Sequence, residues 1–207
     1  AVVRERDAFE WPRGYRYALG GEAESGSESF SGVGTAAIVA LFGIFAVLVL
    51  EFGSFKSTLI VLTVVPIGLV GGLLALLFTG NSVSFTASIG LIALIGIEIK
   101  NSILLVDFTN QLRAHGVELD EAIERAGETR FVPILLTSAT AIGGLLPLAL
   151  QNVGLYSPMA WVIIGGLVTS TFLARLVTPV MYKVLPPSIV VLPGATVDAS
   201  MAVTRAV

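Results

Sequence analysis

No cysteine occurs anywhere in the chain, and histidine occurs once, as His115. These absences exclude a disulfide framework, a thiolate nucleophile, a cysteine-based metal site and a histidine cluster. Charge is scarce too. Only 13% of the 207 residues are Asp, Glu, Lys or Arg, against about a quarter in a soluble domain. The net charge is -3, with acidic and basic residues mixed, so no basic surface for nucleic acid is offered. Methionine is limited to Met159, Met181 and Met201, none of them mid-way along an apolar run, which weighs against a soft-metal path. The opening "AVVRERDAFEWPRGYRYALGGEAES" lacks the layout of a secretory signal. Starting at Ala1 rather than Met, the chain is expected to be part of something larger.

What is present is apolar: 55% of residues, for a mean hydropathy of +0.89. Five segments, about 34–52, 58–79, 87–108, 131–150 and 158–182, approach or exceed the ~20 residues of a membrane-spanning helix. The expectation is an all-α membrane protein. Internal Pro66, Pro133, Pro147 and Pro179 and the pairs Gly71-Gly72, Gly143-Gly144 and Gly165-Gly166 suit membrane helices, where small residues permit close approach. Ser157 ahead of Pro158 reads as an N-cap for the fifth segment. Lys56, then Arg113, Arg125 and Arg130, then Lys183 mark three connections as cytoplasmic, while 80–86 and 151–157 hold no Lys or Arg. Within the long connection, Leu119, Ala122, Ile123 and Ala126 recur at helical spacing, which predicts either a short helix on the membrane surface or a solvated connector.

The third segment breaks the apolar rule. It carries Glu98, Lys100 and Asn101, and a charge at mid-span costs ~2.5 to 3.5 kcal/mol on insertion scales. On a helix Glu98 and Lys100 stand about 200° apart. Lys100 therefore needs a counter-charge from another helix, whereas Glu98 shares a face with Asn101 and Ser102 and is expected to hydrogen-bond to one of them. Counting ~1.5 Å per residue from the cytoplasmic ends, Lys100 and Asn101 come level with Thr137, Ser138 and Thr140 of the next span. The two readings are a proton relay and a set of polar groups that glue helices together. Arg175, Arg130 and Asp107 lie near segment ends, where snorkelling to water suffices.

"GIEIKNSILLVDF" followed by "RFVPILLTSATAIGGLLPLAL" resembles the resistance-nodulation-division (RND) efflux pumps of Gram-negative bacteria, whose tenth helix carries G-x-x-x-K-N-[AS]-I-L-[LI]-V-[DE]-[FY]. "LEFGSFKSTLIVLTVVPIGLVGGLLALL" and "GGLVTSTFLARLVTPVMYKVLP" resemble the ninth-helix and last-helix regions, so the likeness covers about residues 12–187. The resemblance implies helices eight to twelve of a twelve-helix RND-type bundle. Residues 1–33 would end an exported α/β porter domain in the periplasm, 34–187 would form the membrane domain, and 188–207 would be an unassigned tail. By position, Lys100, Asn101, Thr137 and Arg130 match the family's proton-relay residues, whose two partner aspartates lie on helix four of an N-terminal half outside this chain. Glu98 departs from the family pattern and is a possible extra protonatable site. The implied function is multidrug-type export by proton antiport across the inner membrane, not enzyme catalysis, with protons as coupling ion and no other cofactor. Implied partners are the N-terminal half, a homotrimer, a periplasmic adaptor, an outer-membrane channel and the bilayer. The N-terminal segment would be periplasmic and the C-terminus cytoplasmic. The alternatives are a non-transporting scaffold, a truncated fragment, or a lipid- or protein-export relative.

Overall fold

The computed structural model describes residues 22–151 and 155–189, and the elements among them are all helices. They are α1 Glu22–Phe52, α2 Phe55–Leu62, α3 Val64–Thr79, α4 Phe85–Ala114, α5 Leu119–Leu150 and α6 Ser157–Val184. Five spans result, because α2 and α3 run on as one, Phe55–Thr79. The interruption between them has a local cause: Pro66 has no N–H to give to the carbonyl one turn earlier. Thr63 stays in the right-handed region at φ -65°, so the axis continues. Of residues 1–33, expected to end a porter domain, 1–21 lie outside the described residues and the remainder belongs to helix α1.

Turn chemistry sets the reversals. Gly80 (φ 68°) and Gly116 (φ 85°) take left-handed conformations that other residues rarely adopt. Past each glycine the chain turns back: Asn81 N–H reaches Leu76 O at 3.0 Å and Val117 N–H reaches Leu112 O at 3.2 Å. Ser84 starts α4 by accepting from Ala87 N–H at 3.2 Å.

Helix α6 sits at the centre, closest to α3, then to α4 and α5. Glycine permits the contact: a Cβ on Gly165 would lie 2.7 Å from Gly71 O, and one on Gly72 would lie 3.0 Å from Val162 O. Leu76, Leu94, Val162 and Leu167 close the seam of α3, α4 and α6. Helix α1 stands at the edge, attached through Leu48 to the cluster of Ile60, Val61 and Ile99 and through an edge-on contact of Phe45 with Phe55 at 5.7 Å.

The structure revises four sequence expectations. Helix α1 begins at Glu22, twelve residues ahead of the segment start at 34. The amphipathic stretch 119–126 is no separate surface helix. It opens the 32-residue α5, and its apolar side, Ala122 and Ala126, packs on Phe108, Leu112 and Val117. At ~1.5 Å per residue α5 is about 48 Å long, well beyond a hydrocarbon core of ~30 Å. Ser157 is not a cap: Tyr156 occupies that position, while Ser157 Oγ donates to Ala149 O at 2.9 Å and ties α6 to the end of α5. The spans also run past the sequence boundaries, with α4 reaching Ala114 rather than 108.

Lys56, Arg113 and Lys183 gather at one end of the bundle. Lys56 Nζ donates to Pro186 O at 3.3 Å, Arg113 Nη1 donates to Pro187 O at 2.9 Å, and Lys183 pairs with Asp120 at 2.9 Å. This is the basic end below.

Candidate functional site

Helix α4 presents two unlike faces, as the 200° separation requires. Glu98 is 2% exposed. Lys100 is exposed within a stripe made by Ile89, Ala93, Gly96, Lys100 and Leu104, spaced three or four residues apart. The other helices leave this stripe open, and a Cβ on Gly96 would meet nothing within 4 Å.

The Glu98 stem crosses Gly68 of α3, where an added Cβ would come within 3.1 Å of Glu98 Cγ. Helical side chains lean toward the N-terminus, so the carboxyl moves away from Asn101 and Ser102. Its partner is instead on α6: Ser170 Oγ donates to Glu98 Oε1. One residue on, Thr171 Oγ1 donates to Ser138 Oγ of α5 at 2.9 Å. Glu98, Ser170, Thr171 and Ser138 thus form a polar layer across three helices. Beside it lies a cavity of about 50 Å³, bordered by Glu98, Asn101, Ser102, Thr178 and Arg175. Ser102 Oγ and Thr178 Oγ1 are buried there without a hydrogen-bond partner.

The polar level deduced for Lys100, Asn101, Thr137, Ser138 and Thr140 is divided by the fold. Ser138 faces inward. Thr137 and Thr140 are exposed on α5 and donate to Pro133 O at 2.8 Å and Leu136 O at 2.7 Å. Asn101 is half-buried at the cavity edge. Arg130 lays its guanidinium over Phe108 at 4.6 Å, and Arg175 lies over Phe131 at 4.0 Å, both cation–π contacts. Asp107 accepts from Gln111 Nε2 at 2.7 Å. Among the described residues no hydrogen bond or ion pair joins Lys100, Asn101, Thr137 and Arg130.

Sequence reasoning passed over Gly68, Ser170, Thr171 and Thr178. A signal for the last three existed: 170, 171, 174 and 178 in "LVTSTFLARLVT" recur at helical spacing and carry small or hydroxyl side chains within a span.

Five apolar spans, one of them a central glycine-lined helix, with ionisable groups at mid-span on both an inner and an open face, fit the membrane domain of a transporter. Residues 2–186 match the model of the AcrB/AcrD/AcrF family, and the chain belongs to that family of RND transporters, which are not enzymes. It is 34% identical over 189 residues to the swarming motility protein SwrC of Bacillus subtilis, covering 89% of this chain and 18% of that protein. It is 36% identical over 175 residues to the cobalt-zinc-cadmium resistance protein CzcA of Cupriavidus metallidurans, covering 83% and 16%. It is 36% identical over 186 residues to the multidrug resistance protein MdtC of Escherichia coli, covering 88% and 18%. The crystal structure of a heavy metal efflux pump superposes with a TM-score of 0.71 at 29% identity, covering 89% of this chain and 19% of the pump. The chain therefore spans less than a fifth of the length of these relatives.

Proposed function

We propose that the chain is the C-terminal membrane half of a proton-motive-force-driven RND exporter, and that Lys100 is its share of the proton relay. The observation that carries this reading is Lys100 itself, exposed at mid-span with no counter-charge among the described residues. A lysine left so in hydrocarbon is unfavourable by ~2.5 to 3.5 kcal/mol on insertion scales. A carboxylate on a helix that covers the α4 stripe removes that penalty, and family membership supports two such aspartates in the N-terminal half. Protonation of those carboxylates from the periplasm weakens their attraction for Lys100, and the helices shift. Asn101 and Thr137 complete the polar surface facing that half, with Arg130 about two turns from Thr137 toward the basic end. The transporter works as a homotrimer in the inner membrane, with an adaptor and an outer-membrane channel. Its N-terminal segment is periplasmic and its basic end cytoplasmic.

SwrC, CzcA and MdtC are named for swarming motility, metal resistance and multidrug resistance at nearly equal identity to this chain. We favour a multidrug-type substrate because no methionine stands mid-span. The test is Lys100→Ala in the full-length transporter, assayed for efflux of a lipophilic dye and of zinc ion. Loss of export with unchanged expression and trimer content is expected; retained export would falsify the relay. Dye export without zinc export separates the multidrug reading from the metal one.

A further inference from the structure

Among the described residues Glu98 and Lys100 share no hydrogen bond or ion pair. They face opposite sides of α4, and Glu98 touches α3 and α6 while Lys100 touches neither in any described hydrogen bond or ion pair. A second, independent set of observations surrounds this inner group. The cavity of about 50 Å³ exceeds the ~10–15 Å³ that a single water needs. Ser102 and Thr178 are 5% and 3% exposed, line that space, and leave their hydroxyl oxygens unpaired. Buried hydroxyls without protein partners are satisfied by ordered water.

The cavity also has a continuation. A smaller space of about 10 Å³ shares Leu105, Thr178 and Pro179 with it and adds Thr109 and Tyr182. Tyr182 OH donates to Asn110 Oδ1, and Asn110 borders an open crevice of about 330 Å³ at the basic end with Ser57 and Gln111. From Glu98 to Asn110 is twelve residues of α4, about 18 Å. Polar groups thus recur along one seam between α4 and α6 from the middle of the membrane to the basic end.

We propose that Glu98 is a second proton-holding site, supplied by water from the basic end through the Thr178 constriction. In this step a hydronium in the cavity transfers its proton to the Glu98 carboxylate and becomes water. Release returns the proton to the same water, and no other reactant is involved. The charged groups around Glu98 are few. Arg175 of α6 borders the cavity but lies on the Phe131 ring, and Arg130 of α5 lies on Phe108. Lys100 projects from the far side of α4, and the α3 neighbours Val64 and Gly68 carry no charge. The charged carboxylate is therefore balanced by Ser170, by cavity water and, at longer range, by Arg175.

The experiment is pH-difference infrared spectroscopy of the full-length transporter in lipid, with deuterium exchange followed on the carboxylic C=O band. A band is expected that vanishes in Glu98→Gln, which keeps the shape and the Ser170 contact, and that persists in Lys100→Ala. Persistence in Lys100→Ala keeps this site standing even where the Lys100 relay fails. Thr178→Val and Ser102→Ala remove the water-holding hydroxyls at nearly constant volume and are expected to slow exchange into the band severalfold. Absence of the band from the wild-type difference spectrum, or its survival in Glu98→Gln, overturns the site. Unchanged exchange in both Thr178→Val and Ser102→Ala overturns the water route.

Discussion

Glycine decides how near α3 and α6 come to each other. At Gly165 an added Cβ would stand 2.2 Å from Ala75 Cβ and 2.7 Å from Gly71 O, and neither neighbour has a flexible end that can yield. Gly165→Ala is expected to destabilise by about 1–3 kcal/mol, the usual range for overpacking, and thermal unfolding in detergent measures it. An unshifted melting temperature would show that the helices separate freely. Gly68 acts differently, since its missing side chain makes room for the stem of Glu98. The identity of Gly68 was plain in the sequence, but its role required knowing which residue lies opposite. Likewise the 200° offset correctly divided Glu98 from Lys100, because helix geometry alone governs it. The Ser170 partner was not visible, because 72 residues separate it from Glu98.

At the scale of the helix, the spans were legible and their ends were not. Apolar length marks a segment that crosses lipid, but helices continue into water wherever a partner surface receives them. Helix α5 shows this: Ala122 and Ala126 are fully buried against the end of α4. The same periodic pattern on a lone helix would look like a membrane-surface segment, since periodicity reports that a face is covered and not by what. A spin label on Ala126→Cys, the only thiol this chain would then have, tests the packing. Protection from both oxygen and a water-soluble nickel complex is expected; quenching by oxygen would place the segment on lipid.

At the scale of the whole molecule, a hydrogen-bond network links α2, α4 and α6 at the basic end. Tyr182 is 1% exposed and donates to Asn110 Oδ1. Asn110 Nδ2 donates in turn to Ser57 Oγ at 3.4 Å, and Arg113 lies over the Tyr182 ring at 5.7 Å. Tyr182→Phe leaves the half-buried Asn110 side-chain carbonyl without this donor, a loss of about 0.5–1.5 kcal/mol. Adding Asn110→Leu removes the unpaired group as well, and most of that loss should return because apolar replacement of both partners is nearly neutral. The melting temperatures of the single and double variants check this. If the double variant is no better than the sum of its parts, the bond is not what holds this end. The stripe around Lys100 on α4 and the face of Thr137 and Thr140 on α5 are exposed among the described residues.

By itself the sequence determined the class of solvent, the number of spans, the alternation of basic and uncharged connections, and the opposed faces of α4. Those properties depend on composition, length and the 3.6-residue turn, all of which are local. Only the tertiary structure decided that α6 is central, that α5 runs unbroken from its amphipathic start, and that Glu98 meets Ser170 beside a cavity with two unpaired hydroxyls. Those depend on which distant glycine allows two backbones to touch, and no local pattern encodes that. Lys100 faces outward from the five spans, and Glu98 faces the space enclosed between them.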